Sequence, residues 1–149
     1  MSKLSTKPSI SDYGKSNWEE LYFLAKHWKS DLEFYKDDLR FLNNLIKKYL
    51  IWITKKENLE SVADIRKKEH ELTLTCNELH QKVSSHLQMA SKIEKGGNDT
   101  AKKDFFSTHG ELENEIAVFV KTFRESRKEV FKVTEYVMDS EELRNILDS

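Results

Sequence analysis

The sequence predicts an all-α protein, an up-down-up antiparallel bundle of three long coiled-coil-like helices followed by a short C-terminal helix. Apolar residues recur at alternating three- and four-residue steps through three long stretches, the spacing that keeps one helix face against its neighbours. With four Gly and one Pro in 149 residues, the chain lacks the turn residues that a many-stranded fold needs. Charged residues at 34% and hydrophobic residues at 38% are the proportions of amphipathic helices.

Residues 1–15 carry Pro8, Gly14 and several Ser and Thr without periodicity, and read as a flexible lead-in to a single domain over 16–149. Ser16 or Asn17 is the expected cap of the first helix, about 16–54. Its seam runs Trp18, Leu21, Ala25, Trp28, Leu32, Tyr35, Leu39, Leu42, Ile46, Tyr49 and Ile53. Past Ile53 the same phase would put Lys56, Glu60, Ala63 and Lys67 in a core, so the polar segment from Thr54 to Asn58 is expected to be a loop although it has neither Gly nor Pro, with a continuous helix carrying a three-residue stammer as the alternative.

The second helix, about 57–95, has the seam Val62, Ile65, Glu69, Leu72, Cys76, Leu79, Val83, His86, Ala90 and Ile93. Gly96-Gly97-Asn98-Asp99 is a helix stop followed by a new cap. The third helix, about 99–139, uses Phe105, His109, Leu112, Ile116, Phe119, Phe123, Ser126, Val130, Val133 and Val137. Asp139 with Glu142 suggests a cap for a last helix over about 140–147. At 1.5 Å per residue the three long helices come out near-equal, about 55–60 Å each, as short turns between antiparallel neighbours require.

Net charge is −1 with no basic stripe, which argues against nucleic-acid binding through phosphates and against bulk attraction to acidic lipid. The most hydrophobic stretch, from Phe41 to Ile53, is interrupted by Asn43, Asn44, Lys47 and Lys48, so membrane insertion is not expected. A lone Cys76 on an apolar seam reads as a small buried hydrophobe, and a cytoplasmic location fits it. No phosphate loop, nucleophile elbow or paired cysteines occur, so the chain is read as noncatalytic with no cofactor implied.

Two polar layers interrupt the seams. Reflecting the sequence about each turn sets Glu69 near Asn43 on one side and near Ser126 and Arg127 on the other. A Glu69 to Arg127 contact is therefore expected, with Asn43 or Ser126 completing a layer that fixes register. The second layer brings His86 and His109 together beside the small Ala25. With Glu113 four residues beyond His109, these offer at most three metal or ligand contacts. The Glu-x-x-His pairs of ferritin-like di-iron proteins are missing, so metal binding is the alternative reading.

The first helix also has more apolar side chains than its seam uses. Phe34 and Phe41, one heptad apart, with Phe23 and Trp52, form the expected protein interface. Three coverings are open: the chain's own lead-in or C-terminal helix, a second copy in a homodimer, or an unidentified protein partner. The architecture resembles spectrin-type repeats and the regulatory bundles of membrane-fusion proteins, a likeness of outline that transfers no function.

Overall fold

A computed structural model describes the backbone of residues 15–148 and the side chains of residues 19–145. The expected lead-in lies outside the described residues but for Lys15, where the first helix already begins, so Ser16 and Asn17 stand inside that helix and not at its cap. Helices α1 (Lys15–Leu50), α2 (Lys56–Glu94) and α3 (Asp99–Ser140) are the three long elements, and α4 (Leu143–Asp148) is short. Among the described residues there is no strand, and no helix is long and apolar enough to cross a membrane.

Contacts divide the described chain into two compact units. The first takes residues 15–33 from α1, 77–94 from α2 and 99–118 from α3; the second takes 34–50, 56–76, 119–140 and α4. In each unit α2 runs opposite to α1 and α3, the up-down-up arrangement that the short connections dictate.

The described seam residues form the cores, except that Tyr35, Tyr49 and Val133 are half-buried; the side chain of Trp18 lies outside the described ones. In the first unit Leu21, Ala25, Trp28 and Leu32 are buried with Leu79, Val83, Ala90, Ile93, Phe105 and Leu112. In the second unit Leu39, Leu42 and Ile46 are buried with Val62, Ile65, Leu72, Phe119, Phe123 and Val130. Tyr35 is only half-buried, its ring centroid lying 5.7 Å from Phe119 and 4.8 Å from Phe123. Each fully buried Leu or Phe contributes roughly 1.5–3 kcal/mol relative to exposure, so seams this long decide the fold.

The α2–α3 turn is made locally. Gly96 sits at φ +139°, and both Gly96 and Gly97 donate their N–H to the Ile93 carbonyl, at 3.1 and 2.8 Å. A Cβ on Gly97 would lie 2.7 Å from Ile93 Cα, which closes the position to any side chain. Asn98 Oδ1 then accepts the Ala101 N–H at 2.8 Å, the N-cap bond that opens α3.

The α1–α2 connection differs in detail from the expected one. α1 ends at Leu50, four residues early, and the chain turns through Trp52 N–H to Tyr49 O (3.0 Å) and Ile53 N–H to Leu50 O (3.3 Å). Ile53 still fills its seam position, but from the turn. Glu141 explains this. Its carboxylate accepts the backbone N–H groups of Thr54 (3.1 Å) and Lys55 (2.8 Å), the Thr54 hydroxyl (2.7 Å) and Asn58 Nδ2 (2.9 Å). A side chain at the end of α3 thus satisfies donors around the start of α2, where the sequence has no strong cap of its own.

Asn58 is wholly buried at this junction and also donates to Ser140 Oγ at 2.7 Å, while Lys55 Nζ bonds the Ser140 carbonyl. Because Ser140 ends α3 and Glu141 serves the turn, α4 starts at Leu143, later than the expected 140. Glu142 links the two helices in the left-handed region at φ 58°, and Leu143 is fully buried.

Candidate functional site

The histidine layer forms in the first unit. His86 on α2 and His109 on α3 are 4% and 2% exposed, and His86 Nε2 lies 3.1 Å from His109 Nδ1, so one N–H bridges the rings. His86 stacks on Phe105, with centroids 4.0 Å apart and planes 6° apart; His109 stacks on Trp28 at 4.4 Å and 28°. The sequence reading missed both aromatic partners, although Phe105 stands four residues before His109, where helix neighbours meet.

Burial holds both imidazoles neutral, at about 4, and for His109 the adjoining His86 adds to the effect. His109 Nε2 has no hydrogen-bond partner among the described residues. Glu113 does not join the layer: it is exposed, turned from the core position that His109 occupies. Among the described residues no group of three or more His, Cys, Asp or Glu side chains is placed to hold a metal ion.

The glutamate layer forms in the second unit, with a different partner from the one expected. Glu69 on α2 is 2% exposed, and its Oε2 accepts the Ser126 hydroxyl of α3 at 2.7 Å. Arg127 is exposed and donates its Nε to Asp38 on α1 at 3.0 Å, its guanidinium lying 4.9 Å from the Phe131 ring centre. Ser126 occupies the seam, and the next residue is rotated about 100° away from it. Arg127 therefore pairs at the rim of the core, its own side chain exposed and that of Asp38 largely covered, and not in the core itself. Asn43 is half-buried and forms no hydrogen bond to this layer among the described residues.

Burial raises the Glu69 pKa against the lowering effect of Ser126, and the nearby Asp38 charge raises it further. Its Oε1 has no partner among the described residues. Cys76, 1% exposed in the same unit, has its thiol pushed up to about 11 by burial despite Lys36 nearby. At Glu141 burial acts upward, but the bonds from Asn58, Lys55 and Thr54 outweigh it and hold the carboxylate at about 2.

Tyr22, Leu45 and Leu50 of the surplus apolar set are half-buried, while the four residues of the expected interface face solvent. In the second unit Phe34 is 64% exposed, Phe41 53% and Trp52, in the turn, 39%; in the first unit Phe23 is 64% exposed. Leu143 of α4 is buried, yet the helix leaves Phe34 and Phe41 uncovered. No family model, no curated protein and no solved structure matches the chain.

Proposed function

We propose that this chain is a noncatalytic helical-bundle protein that works through protein contacts, with the Phe34 and Phe41 pair on α1 as its anchor and self-assembly as the first contact to test. The observation that carries this reading is the exposure of two phenylalanines one heptad apart on one helix face, 64% and 53%, after the rest of the unit has buried its seams. Large rings held open to water on a rigid helix gain most from a partner surface. A coiled-coil-like mode of association and a cytoplasmic setting accord with this reading.

The two buried histidines and the buried cysteine lend no support to acid–base or thiol chemistry. General acid–base work needs a group poised near the working pH. Burial instead keeps His86 and His109 neutral down to about 4 and Cys76 protonated up to about 11. The metal-binding reading of His86, His109 and Glu113 has less support, since Glu113 is exposed and no three-ligand cluster is present among the described residues.

Light scattering over a hundredfold concentration range tests the proposal, using the parent chain and the Phe34→Glu/Phe41→Glu variant. The parent is expected to exceed its 17.6 kDa monomer mass as concentration rises, and the variant to remain at that mass. Equal masses throughout would overturn self-association through this face.

A further inference from the structure

The first unit has an open groove of about 720 Å³ between α2 and α3, on surface that the aromatic side chains of α1 do not use. Its floor is apolar, formed by the edges of Phe105, Leu112 and His86, all buried, while Met89 stands 45% exposed at the side. The walls keep coiled-coil spacing. On α3 the lining positions 101, 104, 108, 111 and 115 step by three and four residues, and on α2 positions 78, 82, 85 and 89 do the same. Apart from Ala101 and Met89 these wall positions are polar, so a helix laid along the groove meets a narrow apolar strip flanked by charge. The α3 seam measures about 21 Å at 1.5 Å per residue, about four helical turns.

The charges of the walls are lopsided. Glu78, Asp104, Glu111 and Glu115 line the groove, with Lys82 as the one basic lining residue. Lys82 is already engaged, with Glu115 at 2.9 Å and Glu78 at 3.5 Å. Asp104 and Glu111, one heptad apart on α3, have no ion pair among the described residues.

We propose that this groove seats a fourth helix supplied by another protein: a basic amphipathic segment of about four turns. Its apolar face lies on Met89 and the groove floor, and two Lys or Arg one heptad apart meet Asp104 and Glu111. Because the three-helix core already closes the floor, docking requires no opening of the unit. The site shares the protein-contact character of the proposed function but uses a different surface, so each can fail without the other.

The probe is a synthetic 15-residue peptide, a length set by the roughly four-turn seam, with Leu at heptad spacing and Lys flanking it. A second peptide carries Glu in place of every Lys. Each is titrated calorimetrically into the full chain, into the Asp104→Lys/Glu111→Lys variant and into the Phe34→Glu/Phe41→Glu variant. The Lys peptide should bind the parent saturably and more weakly as salt is raised. The Glu peptide, and the groove variant with the Lys peptide, should each show affinity lower by ~tenfold or more, while the α1 variant keeps parental affinity. Absence of saturable binding, equal binding of the Glu peptide, or undiminished binding to the groove variant would each overturn the proposal. Loss of binding only in the α1 variant would overturn it too and assign the peptide to the aromatic face.

Discussion

Both units place polar side chains at core positions, yet the two layers respond to protons in opposite ways. In the first, His86 and His109 share one N–H between two aromatic faces, and the buried state is the neutral one. In the second, Glu69 accepts a single hydroxyl bond from Ser126, and burial favours its protonated form. Acidification therefore works against the first layer and relieves the second. A buried polar layer sets the pH range in which its unit is most secure.

The largest expected effect is on the histidines. Their pKa falls from 6.5 to about 4 on folding, so between those values the unfolded chain binds protons that the folded chain refuses. Their contribution is fully present above pH 6.5 and is lost as pH falls through that window toward 4, by at most about 1.4 kcal/mol per pH unit for each ring. Urea unfolding of the parent and of the His86→Leu/His109→Leu variant at pH 7.5 and 5 should give a markedly shallower pH dependence in the variant. Equal slopes would show that the layer does not control acid stability.

At Glu69 the sign reverses. Its folded pKa lies above the usual value of 4.5, so its contribution is most favourable below pH 4.5 and is lost as pH rises through the raised pKa. A Glu69→Gln variant keeps an acceptor for Ser126 and removes the charge. Its stability relative to the parent should increase between pH 4 and pH 8, measured by the same unfolding method. A relative stability that stays flat or declines over that range would mean that Glu69 ionises in the core without hindrance.

Local signals explain why some features could be read from the sequence. The seams are regular within each helix, and Gly96-Gly97-Asn98 contains its own stop and cap, so helix order, core and the α2–α3 turn were legible. The pairing of His86 with His109 was legible as well, since both rings stand on seams facing across a turn whose position is fixed by glycine. Arg127 shows the limit: reflection about a turn is good to about one helical turn, and a long side chain one residue off the seam finds a half-buried acid, Asp38, on α1. Glu141 lies beyond local reading altogether. It caps a turn 87 residues earlier in the chain, and only the packed second unit brings the two together.

The two turns extend the comparison to backbone conformation, with the smallest expected effect. Gly96 meets a positive φ of 139° with the residue type that tolerates it, whereas Glu142 holds φ 58° with a Cβ present. Relief of that strain by Glu142→Gly is partly offset by the greater freedom of glycine in the unfolded chain, leaving a gain of ~0.5 kcal/mol. Gly96→Ala has no such compensation and should lose ~1 kcal/mol, although space around the position is open, because the conformation itself is disfavoured. Thermal melts of the two variants should therefore move in opposite directions. A loss in both would mean that the Glu142 side chain contributes more to the α3–α4 junction than its backbone strain costs, and that the second unit ties this end together with both glutamates, Glu141 and Glu142.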